Sequence, residues 1–219
     1  MMNVQKLILV FIEVFFFNTV VFPQQSSLSK SVNYISEFIS SECFNNLHKE
    51  NDDLSLVDSI YLRSLEFNRS DLSEALLSLT FGTIPYREIP IKIPLINGII
   101  YFPLISHNDS IFTLKNKNLP KELLFDTPKD EFGDKDKLAH FFGSAFLSYN
   151  SHFFDFGTVF GYFVEVFEEN FKVQSSVDDR DLMVNNLGRI FGKILKKNRE
   201  ILPSRIFLFS SLFYFRYSL

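Results

Sequence analysis

The chain has 219 residues, enough to bury a sizeable hydrophobic core, and 46% of them are apolar. Its net charge of −4 argues against a nucleic-acid-binding protein, because such proteins usually carry a basic surface. Cys43 is the only cysteine, which excludes an intrachain disulfide and a metal site built from clustered thiolates. Nothing in the composition predicts an oligomeric state.

Residues 1–25 have the pattern of an export signal. Lys6 precedes an apolar run from Leu7 to Phe17, and a polar stretch follows. The run is shorter than the roughly 20 apolar residues that a membrane-spanning helix needs, and Glu13 interrupts it. We therefore predict an export signal, with an uncleaved N-terminal anchor as the alternative. Either interpretation predicts that the remaining chain works in the periplasm or cell envelope.

Residues 26–84 form a region in which apolar residues recur at helical spacing. The pattern predicts one helix over residues 28–48, a second that ends near Asn68, and a short third one. Ser70 is the predicted N-cap of the third helix, and Gly82 and Pro85 are expected to stop it. We predict an amphipathic helical region without catalytic residues.

Residues 85–133 alternate between apolar residues and prolines before a charged connector. Asn97-Gly98 lies between two apolar runs and predicts a β-hairpin, because both central residues of a type I′ turn need a positive φ. A second turn over residues 106–109 leads into Ile111–Leu114, which predicts a further strand. The predicted fold is therefore mainly α: a helical bundle with a small antiparallel β-meander inserted in the middle (α+β overall).

Residues 134–200 contain three further helical patterns, each combining polar with small residues. In the first, Asp134 is the predicted N-cap. Asp136 and His140 lie four residues apart, off the apolar face of that helix. Asp136 can therefore orient His140 or form a charge pair with it.

The second pattern places Gly157, Gly161 and Glu165 on one face, at intervals of four residues. Glycine inside a helix costs about 1 kcal/mol relative to alanine, so the two glycines indicate a packing or access role. A stripe of small residues lets a neighbouring helix approach closely, and Glu165 lies at the end of that stripe.

The third pattern begins with Ser176 as the predicted N-cap. Asp181 and Asn185 lie on one stripe with two glycines, Gly188 and Gly192. The opposite side is predicted to be ordinary core and comprises Leu182, Leu187, Ile190, Phe191, Ile194 and Leu195.

If the three stripes face one another, His140, Glu165, Asp181 and Asn185 converge in a mostly apolar bundle. Burial of such groups is costly unless they pair, hydrogen-bond or bind an ion. They can act as catalytic acid–base groups on a bound substrate, or His140, Glu165 and Asp181 can ligate a divalent metal. A satisfied polar network that only fixes helix packing is the third interpretation.

Three charged residues beside this cluster are candidate binding residues. Asp136 precedes His140 by one turn, whereas Arg180 and Arg189 flank the stripe of the third pattern. The arginines can hold an anionic headgroup, or they can pair with nearby acidic residues.

The order D-K-x-x-H-F, G-x-x-x-E and D-L-x-x-N-x-x-G-x-x-x-G resembles VanZ-like proteins and the related YfiM-like predicted envelope lipoproteins. The three pieces begin at Asp136, Gly161 and Asp181. The resemblance implies a bacterial envelope location and, for some VanZ-like members, an association with glycopeptide resistance. It implies no particular reaction. The chain departs from the pattern in having shorter helices than multi-span VanZ-like proteins and no lipobox cysteine.

Residues 201–219 form an apolar C-terminal segment that is rich in aromatic residues. The run over residues 206–215 is too short to span a membrane as a helix. It is a last core helix, a strand or an interfacial segment, and we predict that it packs against the bundle.

Two functional hypotheses follow from these patterns. The first is an exported, envelope-associated protein with a His/Glu/Asp/Asn site in its helical core, acting on an envelope lipid or phospho-substrate. The second is a non-enzymatic envelope protein in which the helices are a scaffold and the meander is an interaction surface. The partner expected in either case is the membrane or an envelope lipid, and not a nucleic acid.

Overall fold

A computed structural model describes residues 26–93, 98–151 and 179–217. These ranges contain two strands, β1 (Glu88–Ile93) and β2 (Gly98–Pro103), and eight helices: α1 (Ser27–Ser40), α2 (Glu42–Glu50), α3 (Asp53–Phe67), α4 (Leu72–Gly82), α5 (Asp109–Asn118), α6 (Lys137–Asn150), α7 (Asp179–Leu195) and α8 (Pro203–Tyr217). The prediction of a mainly α protein with a small antiparallel β element in its middle is confirmed. Residues 1–25, Glu165 and its two glycines, and Ser176 lie outside the described residues.

Side-chain caps set the starts of the first four helices. Ser26, Ser41, Asp52 and Asp71 each accept a hydrogen bond from the backbone N–H three residues later. The single helix predicted over residues 28–48 is wrong, because Ser41 adopts an extended conformation and caps a second helix. The predicted cap at Ser70 is also wrong: Ser70 has φ 63° and belongs to the turn before Asp71.

The β element is a two-stranded antiparallel hairpin, and the predicted third strand is wrong. Its register runs from Glu88↔Pro103 to Ile93↔Gly98, so Gly98 is a strand residue and does not belong to a two-residue turn. Residues 111–114 lie instead in α5, because the Asn108 side chain accepts a hydrogen bond from the Ile111 N–H and caps a helix there. The polar residues 106–109 suit a helix N-terminus as well as a turn.

The hydrophobic core joins the N-terminal helices to the C-terminal ones around Phe141 of α6. The Phe141 ring centroid lies 5.2 Å from that of Phe191 in α7 and 4.7 Å from that of Phe207 in α8. Ile206 and Phe207 are buried, so the C-terminal segment begins as a core helix, one of the predicted alternatives. Leu208 and Phe209 of the same helix are exposed.

Helices α6 and α7 pack with their backbones in close contact. A Cβ atom on Gly188 or Gly192 would lie under 3.0 Å from the carbonyl oxygen of Phe141 or Ala145, respectively. Gly188 and Gly192, which the sequence places on one stripe with Asp181 and Asn185, therefore permit the close approach of the two helices. The same role predicted for Gly157 and Gly161 concerns residues outside the described ranges. The opposite side of α7 is less buried than predicted, because Leu182 is 51% exposed and Ile190 is 44% exposed.

None of the helices in the described part of the chain combines the length and apolar character that a bilayer crossing requires.

Lys115 in α5 is a buried lysine whose Nζ donates a hydrogen bond to the Ile84 carbonyl at 2.6 Å. Burial lowers the pKa of Lys115 to about 7, and the positive charge of Arg87 adds a smaller effect in the same direction. An unfolded chain would hold this proton up to the ordinary pKa of 10.5. Between these values the unfolded state binds more protons, so stability rises as the pH is raised.

Replacing Lys115 with methionine is therefore expected to flatten the pH dependence of stability. The wild-type chain should gain on the order of 2–4 kcal/mol in its free energy of unfolding between about pH 7 and pH 10, and Lys115→Met should lose most of this gain. Urea denaturation at several pH values measures both. Lys117→Met, an exposed position in the same helix, is the matched control. Equal pH dependence in wild type and Lys115→Met would contradict the assignment.

Candidate functional site

Three of the predicted site residues meet where α6 and α7 begin. Asp136 directly precedes α6, His140 lies one turn into it, and Asp181 lies in the first turn of α7. Each offers one potential ligand atom, and these atoms all lie within 4.8 Å of one another. His140 Nε2 is 3.7 Å from Asp181 Oδ1. The close packing at Gly188 and Gly192 holds the two helix starts side by side.

Lys137 places a positive charge between the two carboxylates. Its Nζ lies 2.5 Å from Asp181 Oδ1 and 3.2 Å from Asp136 Oδ2, and its side chain is only 5% exposed. Two carboxylates without a cation would repel each other strongly at this depth. The ammonium group thus holds the position that a bound cation would otherwise fill.

His140 is held in its neutral form. Burial lowers its pKa, and the negative charges of Asp181 and Asp136 oppose this effect without overcoming it. A neutral imidazole can accept a proton or bind a metal at pH 7, which an imidazolium cannot. The Asn185 side chain hydrogen-bonds to His140, and this bond favours the protonated imidazole. Asn185 Oδ1 also accepts a hydrogen bond of 3.0 Å from the Ser144 hydroxyl.

Of the four residues predicted to converge, the structure brings His140, Asp181 and Asn185 together, and Asp136 lies beside His140 as its spacing predicts. Glu165, the fourth predicted acid–base group and third predicted metal ligand, lies outside the described residues.

The two arginines do not join the cluster. Arg180 forms an ion pair with Asp134, which is completely buried, and its Nε is 3.5 Å from Asp126 Oδ1. Arg189 is exposed and donates to Asn186 Oδ1 at 2.9 Å. The positions of Arg180 and Arg189 do not favour a role for either arginine in holding an anionic headgroup at the cluster.

Asp134 has a different role from the helix cap that the sequence predicts. The residue before α6 is Asp136, and its side chain makes no capping hydrogen bond. Asp134 Oδ2 instead accepts hydrogen bonds from the backbone of Leu124 at 3.1 Å and from the Thr127 hydroxyl at 2.5 Å. It ties the connector to α7 through Arg180, because a buried carboxylate needs several charge-assisted partners.

Sequence reasoning missed Lys137 as a member of the cluster and Tyr86 as a nearby residue that the cluster's charges affect. Lys137 lies three residues before His140 and so on the same side of the helix, a spacing that signals proximity. Tyr86 precedes β1, and no local pattern links it to α6. The pKa of the Tyr86 phenol is raised mainly by burial, with smaller contributions from Asp136 and Asp181. Only the tertiary structure brings Tyr86 near the two carboxylates.

The side chains of Asp136, His140 and Asp181 are chemically suitable ligands for a divalent metal, but Lys137 occupies the space between the carboxylates. One imidazole and two carboxylates suit zinc or manganese, and ligand atoms about 2.0–2.2 Å from a zinc ion lie roughly 3–3.5 Å apart. Asp136 Oδ1 is buried and has no hydrogen-bond partner among the described residues, so one ligand atom is uncommitted. Lys137 Nζ would have to move aside.

No family model, curated protein or solved structure gives a significant match to this chain. The resemblance to VanZ-like and YfiM-like proteins therefore stays a prediction from the motif.

Proposed function

We propose that the chain is an exported, cell-envelope-associated protein whose Asp136, His140 and Asp181 form a divalent-cation and acid–base site. The observation that carries the proposal is the convergence of these three side chains within 4.8 Å, with one buried carboxylate oxygen of Asp136 uncommitted among the described residues. A buried histidine whose pKa is lowered by burial, in contact with carboxylates, is typical of functional sites.

The residues suit proton transfer at this position. While no metal is bound to its imidazole, neutral His140 accepts a proton from water or a hydroxyl group, and the carboxylate of Asp181 at 3.7 Å stabilises the imidazolium that forms. With His140 as a metal ligand, its coordinated nitrogen would not act as this base. A divalent ion bound at this site would supply Lewis acidity toward an oxygen of the substrate. Lys137, displaced from between the carboxylates, would remain near enough to neutralise an anionic group such as a phosphate. An envelope lipid or phospho-substrate is the proposed class on this basis.

Metal binding to the full chain tests the proposal. We expect isothermal titration with Zn²⁺ or Mn²⁺ to show one site, and Asp181→Asn to weaken binding by at least about tenfold. Lys137→Met should tighten binding by about tenfold or more, because it removes a competing positive charge. Affinity should fall on acidification only below about pH 6.5, since the pKa of His140 lies below its ordinary value.

Asp109→Asn is the matched control for the metal titration, because Asp109 is a carboxylate on the exposed start of α5. It should leave metal affinity unchanged. If neither wild type nor Lys137→Met binds a metal, and Asp181→Asn only lowers the melting temperature, the cluster is structural and the proposal is wrong.

That outcome would favour the alternative of a non-enzymatic envelope protein. Its support is that Lys137 already bridges both carboxylates and Ser144 already bonds Asn185. Strand β2 also carries four consecutive apolar side chains that are more than half exposed: Ile99, Ile100, Tyr101 and Phe102. Because side chains alternate between the two faces of a strand, these residues expose apolar surface on both faces of the hairpin, and such surface is typical of a segment that contacts a partner or a membrane.

The envelope location rests on the export pattern of residues 1–25 and gains support from the exposed hairpin. Fractionation of cells that produce the full chain tests it. Recovery in the cytoplasmic fraction alone would refute the location while leaving the metal site untouched.

A further inference from the structure

A second polar site lies at the far end of α6 from His140. Ten residues, or roughly 15 Å of helix, separate His140 from Asn150. There a cleft of about 730 Å³ is lined by the turn between α3 and α4, the last turn of α6 and Arg199 of the α7–α8 loop. The cleft is shallow and open to solvent, and both of its arginines, Arg69 and Arg199, are exposed.

Two arginines give the cleft its charge. Arg69 and Arg199 both line it, and within the described part of the chain neither guanidinium pairs with a carboxylate. Asp71 is the acidic residue in the lining, and its Oδ1 accepts the Glu74 N–H at 3.1 Å as the cap of α4. The cleft therefore offers an excess of hydrogen-bond donors to an anion.

The position of these donors is fixed by a tight turn. Arg69 and Ser70 have φ values of 52° and 63°, a backbone region that residues other than glycine rarely adopt. The Ser70 N–H donates to the Leu65 carbonyl at 2.8 Å, and Arg199 donates to the Ser70 carbonyl at 3.0 Å. The Arg199 guanidinium thus contacts the residue that follows Arg69, which brings the two arginines to the same turn.

A buried hydroxyl lies beside the same cleft. Tyr61 of α3 is 1% exposed, and its hydroxyl has no hydrogen-bond partner among the described residues. Burial is the main cause of the raised pKa of Tyr61, and Arg199 and Tyr149, which both line the cleft, also act on it electrostatically. The lining of the cleft does not include Tyr61, so its hydroxyl lies behind the cleft wall and is not a contact for an occupant.

We infer that this cleft binds a phosphoryl group, with Arg69 and Arg199 as its charged contacts. A phosphate offers several acceptor oxygens to two guanidiniums, whereas a carboxylate offers two. The group can belong to a free small molecule or to a phospholipid headgroup, and the chemistry of recognition is the same. The site is separate from the His140 cluster and does not depend on it.

Titration of the full chain with inorganic phosphate tests the inference. We expect phosphate to raise the melting temperature of wild type at low salt, and Arg69→Gln or Arg199→Gln to weaken phosphate affinity by about tenfold each. Arg63→Gln, which removes an exposed arginine of α3 that pairs with Glu66, is the matched control and should leave affinity unchanged. Arg199→Gln also removes the hydrogen bond from Arg199 to the Ser70 carbonyl and can therefore disturb the turn. Arg69→Gln keeps that hydrogen bond, so a loss of phosphate affinity in this variant is not caused by a disturbed turn.

Vesicles containing phosphatidylglycerol distinguish the two sources of the phosphoryl group. Arginine-dependent sedimentation with these vesicles, competed by free phosphate, would assign a lipid headgroup. Phosphate binding without sedimentation would assign a soluble molecule. The inference is overturned if phosphate up to about 20 mM does not bind, or if both glutamine variants bind it as wild type does. Metal binding at Asp181 is a separate measurement, so failure of one site is distinguishable from failure of the other.

Discussion

Replacing Gly188 with alanine is expected to destabilise the fold by about 3 kcal/mol or more. The added Cβ would meet the carbonyl oxygen and carbon of Phe141 and the side chain of Ser144, all within 3.0 Å. The first two are backbone atoms of α6, so relief requires the helices to separate, and core contacts of Phe141 with Phe191 are lost with it. Chemical denaturation of both proteins measures the difference.

Gly143→Ala is the control for this prediction, since it makes the same substitution in the partner helix. A Cβ at Gly143 meets the Thr80 methyl group at 3.3 Å, so relief requires a shift of one side chain by a few tenths of an ångström and no separation of the helices. The gain in helix propensity, up to about 1 kcal/mol, then offsets the tighter contact. Stability of Gly188→Ala equal to that of Gly143→Ala would contradict the close approach of α6 and α7.

Replacing Asp134 with alanine is expected to cost about 3–5 kcal/mol, because it leaves the Arg180 guanidinium partly buried without its main partner. The same change removes the acceptor that Asp134 Oδ2 offers to the Leu123 N–H, the Leu124 N–H and the Thr127 hydroxyl. The last two still bond to each other's residue, so the loss of their bonds to Asp134 adds little to the cost. The free energy of unfolding in urea measures the loss.

Asp126→Ala provides the comparison, because Asp126 is the second acidic neighbour of Arg180 but is 41% exposed. Its loss should cost less than about 1 kcal/mol. Asp134 also lies two residues before Asp136, and Arg180 directly precedes Asp181. Asp134→Ala should therefore weaken metal binding at the cluster as well, whereas Asp126→Ala should not. Similar stability of the two variants would show that Asp134 is not the anchor.

Close helix packing and the polar cluster could be anticipated because both depend on helical periodicity. Asp136 and His140 are one turn apart, and Asp181 and Asn185 are one turn apart, so each pair must share a face once the helix forms. The glycines after Asn185 extend that face and indicate which side meets the neighbour. Placing Asp181 beside His140 required only that these two stripes pack together.

The sequence-based predictions were wrong where the same residues are compatible with two local structures. The polar residues 106–109 are compatible with a turn and with a helix N-terminus, and the cap formed by Asn108 decided for the helix. Asn97-Gly98 predicts a hairpin correctly but not its register, which places Gly98 opposite Ile93 in the ladder. Asp134 has the composition of an N-cap, yet its partners in the connector and in Arg180 are set by the tertiary structure.

The sequence by itself determined the helical class, the hairpin and the grouping of Asp136, His140, Asp181 and Asn185 on small-residue faces, because these follow from local spacing. Only the tertiary structure decided that Lys137 lies between the two carboxylates, that Asp134 binds Arg180, and that Arg69 and Arg199 share a cleft. Residues 69 and 199 are far apart in sequence, and no periodicity relates them. Contacts of that kind depend on how whole helices pack, since the packing fixes distances that local patterns do not contain.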